Sequence, residues 1–147
     1  MKAVVNLAGV SVLAVLAACG SGTPPVCNPD PTFSGPPMMT DVKSASGNLN
    51  LALSSDPNTS PLVRDCLAFQ YLITDSSGQP VDGLTLQVVP WMVQMQHGTS
   101  VQTTVTAKGQ GIYVVTSVDL FMEGEWRLQT SVSGAATDSF APTFQVN

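Results

Sequence analysis

The fold is decided by residues 101–132, which read VQTTVTAKGQGIYVVTSVDLFMEGEWRLQTSV. Apolar and polar residues alternate at 101–105, a glycine-rich turn follows at 108–111, and a mostly β-branched run returns at 112–118. This order predicts a β-hairpin, because alternation with a period of two gives each strand one buried face and the turn joins the strands closely. After a second turn the alternation starts again over 126–132 and predicts another strand.

The same alternation extends outward from this stretch. Apolar residues alternate with polar neighbours at 49–53, 67–73 and 84–88, and apolar residues return at 140–146. Pro90 is expected to end the third of these strands, because proline has no N–H to donate to a β-ladder. No stretch shows a sustained helical period. About seven short strands separated by turns predict an all-β fold, an immunoglobulin-like antiparallel β-sandwich.

The N-terminus has the pattern of a secretory signal. A short positive start is followed by an almost unbroken apolar run over 3–17, which is shorter than the ~20 residues that a permanent membrane helix needs. The tetrapeptide LAAC at 16–19 resembles the lipobox of bacterial lipoproteins, in which the cysteine receives lipid. The sequence therefore predicts a signal peptide over 1–18, cleavage before Cys19, and anchoring to a membrane through lipid on Cys19.

A linker and one domain are expected after the lipidated cysteine. Residues 19–37 are rich in Gly, Ser, Thr and Pro, which predicts a flexible, water-exposed linker. The remaining residues, 38–147, suffice for one domain with a modest core. In the lipoproteins that the motif resembles, aspartate after the cysteine favours the inner membrane. Here Gly20 occupies that position, so we expect an outer-membrane anchor and a protein that faces the periplasm.

The charge and the motif content exclude several classes of function. The chain has 5 Lys and Arg residues against 10 Asp and Glu, and Lys2 lies in the predicted signal peptide. No basic stripe is present, so nucleic acid is not an expected partner. The chain has a single histidine, no Gly-x-Ser-x-Gly motif and no phosphate-binding glycine loop. We therefore expect no enzymatic activity and no catalytic residues.

Cysteine usage agrees with an extracytoplasmic compartment. Once Cys19 carries lipid, Cys27 and Cys66 are the remaining thiols, and two such thiols usually pair in an oxidising space. A disulfide that closes this loop would stabilise the fold by roughly 4 kcal/mol in the chain-entropy model. The alternative is a pair of thiolate ligands for copper or zinc, but the two cysteines lack the close C-x-x-C spacing of such sites.

The residues with metal-binding chemistry lie between Pro90 and Gly98, in the sequence PWMVQMQHG. Met92, Met95 and His97 occur within six positions, and a third thioether, Met122, follows in the later turn FMEGEW. Thioether sulfur is a soft ligand that suits monovalent copper, and imidazole binds copper in the same kind of site. If the loop and the turn meet at one end of the sandwich, these four residues form a candidate copper(I) site.

The same stretch carries a resemblance to a known family. Residues 78–126 resemble the YtkA-like domain, related in pattern to the FixH proteins that accompany cytochrome oxidase assembly. The matching residues, in order, are Trp91, Met92, Met95, His97, Gly98, Gly111, Tyr113, Met122, Gly124 and Trp126. Val93 stands where the family often has proline, and Gln96 stands where it has glycine. The resemblance implies a copper-related periplasmic setting and implies no reaction.

Two functions from different classes remain open on the sequence alone. The first is a lipoprotein that binds or delivers copper(I), with copper or a copper-dependent protein as its partner. The second is a metal-free interaction or structural module at the cell envelope. In that case Met92, Met95 and Met122 fill irregular gaps in the packing, and His97 bonds to backbone groups in a turn. The positions of the three sulfurs relative to the imidazole separate the two functions.

Overall fold

Ten strands form within residues 27–147, the part of the chain that the computed structural model describes. No helix forms in this part, so none of its elements is a candidate membrane-spanning helix. The strands are β1 (Met39–Lys43), β2 (Leu49–Asp56), β3 (Asp65–Asp75), β4 (Leu84–Met92), β5 (His97–Gly98), β6 (Thr104–Gly109), β7 (Ile112–Leu120), β8 (Gly124–Gly134), β9 (Asp138–Phe140) and β10 (Thr143–Val146).

The strands form two antiparallel sheets. The first has the order β1-β2-β3-β7-β6, and the second has the order β10-β8-β4-β5, with β9 also paired to β8. The run β2-β3-β7-β6 reproduces the A-B-E-D order of an immunoglobulin domain, and β10-β8-β4 reproduces its G-F-C order. The predicted immunoglobulin-like sandwich is therefore confirmed. The predicted seven strands are these seven, and β1, β5 and β9 are short additions.

The core lies between the sheets and follows the period of two in the sequence. In β2 and β4, buried positions alternate with more exposed ones along the strand. The largest fully buried side chains come from both sheets and are Trp126, Tyr71, Tyr113, Phe69, Leu51, Leu53, Leu67, Ile73, Leu120, Leu128, Val115 and Val118. The strands predicted at 49–53, 67–73 and 126–132 are present, each with more residues than the alternation indicated.

Pro90 does not end β4, contrary to the prediction. The strand continues to Met92, and Pro90 pairs with Leu128 of β8. The carbonyl of Val88 accepts a hydrogen bond from the Thr103 hydroxyl, which lies outside the sheet. Because backbone groups two residues apart face the same edge of a strand, the nitrogen of Pro90 faces this outer edge, where no N–H is needed for the β4–β8 ladder.

The hairpin at 101–118 begins later than predicted. Its first strand, β6, starts at Thr104 and pairs with β7, and the turn at 109–111 joins them as expected. Residues 99–103 instead connect β5 in the second sheet to β6 in the first. The alternation at Val101 and Thr103 therefore belongs to a connection that lies beside the edge of β4 and is bonded there through Thr103.

Two buried tyrosines link different parts of the sandwich through their hydroxyl groups. Tyr71 of the first sheet shares a hydrogen bond of 3.0 Å with the Thr130 hydroxyl of the second. Burial raises the pKa of Tyr71, and the hydrogen bond with Thr130 opposes this effect only in part. Tyr113 donates to the carbonyl of Val81 and accepts from the amide of Leu84. Both hydroxyls are therefore satisfied inside the core.

A disulfide joins Cys27 to Cys66, with 6.0 Å between their Cα atoms, as the cysteine count predicts. The segment after Cys27 lies against the domain. Asn28 and the amide of Thr32 donate to the carboxylate of Asp56, and the amide of Ser117 donates to the carbonyl of Cys27. The described part of the predicted linker, residues 27–37, is therefore attached to the sandwich, because its polar groups form hydrogen bonds with the domain. The signal peptide and Cys19 lie outside the described residues.

Candidate metal-binding site

The candidate residues lie at one end of the sandwich, which we call the site end. It is formed by the β4–β5 turn, the β7–β8 turn and the β2–β3 connection. Their positions follow from the strand pairing, since Met92 pairs with Trp126 at the end of the β4–β8 ladder and Asp65 pairs with Leu120 at the end of the β3–β7 ladder. The turns at 75–80 and 109–111 lie at the opposite end.

The loop at 90–98 and the turn at 121–126 are in direct contact. The amide of Val93 donates to the carbonyl of Glu125 at 2.9 Å, and the amide of Glu125 donates to Oε1 of Gln94 at 3.0 Å. These bonds extend the β4–β8 pairing past Met92. The geometric condition for a shared site, that the loop meets the turn, is therefore met.

His97 lies on β5 directly opposite Met92 of β4. Its ring stacks on Phe121 with 6.0 Å between ring centroids and 19° between planes, and Phe121 in turn meets Trp126 edge-on at 5.7 Å. Nδ1 lies 3.0 Å from the carbonyl oxygen of Gly98. Because a carbonyl can only accept, the neutral imidazole carries its proton on Nδ1 and keeps the lone pair of Nε2 for another partner.

Met92 lies against Gly124, and Met122 lies two residues before Gly124 in the chain. Met92 is buried, with 4% of its surface exposed, and Met122 is half-buried against the core. A Cβ on Gly124 would lie 2.8 Å from Cε of Met92, and the φ of Gly124 is 137°. Both facts require glycine at this position. The carbonyl of Met122 accepts a hydrogen bond of 2.9 Å from the indole of Trp126, which fixes the turn.

Met95 is separated from the buried part of the candidate site. It lies in the β4–β5 turn with 55% of its surface exposed. Met92, by contrast, points inward because it continues the buried positions of β4. The structure thus brings Met92, His97 and Met122 to the site end as buried or half-buried residues, and it leaves Met95 on the outer surface of the same end.

Gln96 adopts the backbone conformation that glycine would favour. Its φ is 57°, in the left-handed region, although it has a side chain. The amide of Gln96 donates to the carbonyl of Met92, and its side chain donates to the carbonyl of Val93, which closes the turn. The turn therefore keeps a left-handed residue where the resembling sequences have glycine.

The charged groups at the site end are mostly carboxylates. Glu123 forms an ion pair with Arg64, with 3.2 Å between Oε1 and Nη2, and Asp119 accepts a hydrogen bond from Thr99. Within the described residues, no group of three or more His, Cys, Asp or Glu could hold a metal ion. His97 together with thioether sulfur is the predicted donor set at this end, and such a set suits copper(I) better than zinc.

Two residues of the site were not singled out by the sequence. Phe121 stacks on His97, and Gln94 bonds the turn that carries Gly124. Because Phe121 lies beside Met122 in the sequence, its position in the predicted turn could be read from the sequence. Its stacking on His97 could not. Gln94 gave no signal, because its role depends on a backbone amide that is 31 residues away.

Comparisons with known proteins give one family match. The family model described as YtkA-like matches residues 43–131. No curated protein matches the chain. Among solved structures, the crystal structure of a DUF4426 family protein from Pseudomonas aeruginosa PAO1 is similar, with 9% sequence identity and a TM-score of 0.45. That similarity covers 67% of this chain and 88% of the other.

Proposed function

Because this chain belongs to the YtkA-like family, we propose that it is a lipid-anchored protein of the cell envelope that binds copper(I) and delivers it to a copper-dependent protein. The observation that supports this most is the position of His97, opposite Met92 and beside the turn of Met122. The lipobox resemblance at 16–19 supports the anchor, and Gly20 favours the outer membrane, with the domain facing the periplasm.

The donor set fits a soft monovalent ion. The Nδ1 of His97 is occupied by a backbone carbonyl, an arrangement that commonly orients the other ring nitrogen of a histidine ligand. Neutral thioethers from Met92 and Met122 would add soft donors, whereas Met95, the remaining thioether of the predicted set, lies exposed on the surface of the same end. A set made of neutral donors matches the single charge of copper(I).

The alternative is a metal-free interaction module at the cell envelope. Its supporting observation is the packing of Met92 and Met122 against the core, which a structural role would also produce. In that case His97 serves to stack on Phe121. The two functions differ in what replacing the methionines does to metal affinity.

Titration of the mature protein with copper(I) against a competing chelator tests the proposal. We expect wild type to compete, and His97→Ala or the double change Met92→Leu with Met122→Leu to reduce affinity at least about tenfold. Met39→Leu, which removes a thioether from β1, is the matched control and should bind as wild type does. Since leucine conserves the volume of methionine, thermal stability of the apo variants should change little.

Equal and weak competition by wild type and all variants would contradict copper binding and favour the metal-free module.

A further inference from the structure

The site end exposes most of the large apolar side chains found on the surface of the described residues. Four such residues are more than a third exposed, and three of them, Val63, Met95 and Phe121, lie on the three loops of this end. The loops are joined to one another. Phe121 stacks on His97 of β5, and the Arg64–Glu123 ion pair holds the neighbour of Val63 against the turn of Phe121. Exposed apolar residues gathered in one place mark an interaction surface.

Carboxylates outnumber basic side chains at the site end. Asp65, Asp119, Glu123 and Glu125 lie at or next to the ends of β3, β7 and β8. The basic residues there are Arg64, which is paired with Glu123, and Arg127 of β8, which lies opposite Trp91. An apolar centre with a polar rim is the usual composition of a protein interface. A net acidic rim is repelled by anionic lipid headgroups and attracted by basic side chains. The charge therefore favours a protein with a basic surface over a bilayer as the occupant.

The attachment of the chain places this surface near the membrane. Cys27 is bonded to Cys66, which pairs with Asp119, two residues before Phe121. Cys19 precedes Cys27 by eight residues, which span at most about 28 Å even when fully extended. From Cys66 to the far end of β3 at Asp75 the strand runs for about 30 Å. If the domain stood on its far end, Cys27 would lie about 30 Å from the anchoring membrane, which is beyond the reach of this segment. The site end can face the membrane with slack.

We propose that the site end, through Val63, Met95 and Phe121 and the surrounding carboxylates, docks onto the basic extracytoplasmic surface of an integral membrane protein. The proposal rests on the lipid anchor proposed above and does not depend on metal binding. The proposed partner lies in the membrane that holds Cys19. Its docking surface is an apolar pocket or patch with basic residues around it.

Site-specific photocrosslinking in membranes from the source cells tests this surface. A benzophenone amino acid is placed at Met95 in the full-length lipoprotein, and a matched probe is placed at Gln79, which is exposed in the turn at the opposite end. We expect the probe at Met95 to form an adduct with one protein that mass spectrometry identifies as membrane-spanning with a basic extracytoplasmic surface. The probe at Gln79 should give no such adduct.

Three substitutions and one insertion make the result specific. Phe121→Ser, Val63→Ser and Glu123→Lys should each lower the adduct yield, by about tenfold for Phe121 as the central apolar residue. An insertion of about 20 Gly and Ser residues after Thr23 should lower it as well, because a longer tether reduces the local concentration of the domain at the membrane. Thermal unfolding verifies that each of the substituted variants is folded.

Other results overturn the proposal. Adducts with lipid alone would make the bilayer the occupant, and equal yields at both probe positions, or yields unaffected by all three substitutions, would remove the docking surface. His97→Ala is carried in parallel. If it leaves the adduct yield unchanged while abolishing copper(I) binding, docking and metal binding are separate, so failure of one leaves the other standing.

Discussion

Met92 and His97 face each other across the β4–β5 pair, although the turn at 93–96 separates them in the chain. The pair exists because β4 continues through Pro90 and because Gln96 turns the chain back with a left-handed backbone. The side chain of Met92 reaches Gly124 in the neighbouring strand, and the ring of His97 reaches Phe121 in the adjoining turn. Residues from three separate segments are thereby held at one end of the sandwich.

Replacing Gly124 by alanine is expected to destabilise the protein by roughly 1–3 kcal/mol. The new Cβ would lie 2.8 Å from Cε of Met92, and a φ of 137° is unfavourable for any side chain. Chemical denaturation measures the change. Gly78→Ala is the control, because Gly78 also has a positive φ but has nothing within 4 Å of the added Cβ. Equal losses of stability in both variants would mean that backbone strain alone is responsible and that crowding of Met92 contributes nothing.

Removal of the Tyr71 hydroxyl is expected to cost about 0.5–1.5 kcal/mol, the net value of one buried hydrogen bond. Tyr71→Phe leaves Thr130 with its bond to the carbonyl of Leu128, so no polar group becomes unpaired. Tyr113→Phe should cost more, because it deprives both the carbonyl of Val81 and the amide of Leu84 of a partner. The urea midpoints of the two variants give the comparison, and a greater loss of stability in Tyr71→Phe would contradict this reasoning.

Gln96→Gly is expected to stabilise the β4–β5 turn slightly, by up to about 1 kcal/mol. Glycine adopts a φ of 57° without strain, and the side-chain hydrogen bond that the substitution removes, to the carbonyl of Val93, is exposed to solvent. Gln96→Ala separates the two effects, since alanine also lacks this hydrogen bond but keeps the backbone strain. Amide hydrogen exchange in residues 92–97 and thermal unfolding should rank glycine above alanine.

Asp138 should make folding stability depend on pH in strongly acidic solution. Partial burial tends to raise its pKa, but hydrogen bonds from Ser46, Ser44 and backbone amides outweigh this and lower the pKa to about 2. A carboxylate whose pKa is depressed in the folded state stabilises the fold at pH values above its unfolded pKa of about 3.9. This contribution is lost as the pH falls through about 2. Because the side chain is largely solvated, the effect should be modest.

Asp138→Asn tests this dependence. The variant should be less stable than wild type at pH 6, and the difference should shrink between pH 4 and pH 2, as followed by denaturant unfolding at each pH. Asp41→Asn, at an exposed position of β1, is a control for the loss of one surface charge. A difference between wild type and Asp138→Asn that stays constant over this pH range would exclude the hydrogen-bonded carboxylate as its cause.

The sequence by itself determined the class of fold, the pairing of Cys27 with Cys66, and the residue types of the candidate site. Alternation with a period of two is a local property, so the buried faces of β2, β3 and β8 could be read directly. If Cys19 carries lipid, as predicted, the two remaining thiols have one possible partner each. Copper binding and lipid attachment remain predictions.

Only the tertiary structure decided which strand edge of β4 does not pair with β8, and which of the candidate site residues are buried together. Pro90 is tolerated because β4 is paired on its other side, and the same edge lets Val88 bond to Thr103. Met92 and Met95 are chemically alike, yet one is buried and the other exposed, because one continues the inward positions of a strand and the other lies in a turn. Long-range pairing sets these differences, and residues that meet across distant positions of the chain leave no periodic signal in the sequence.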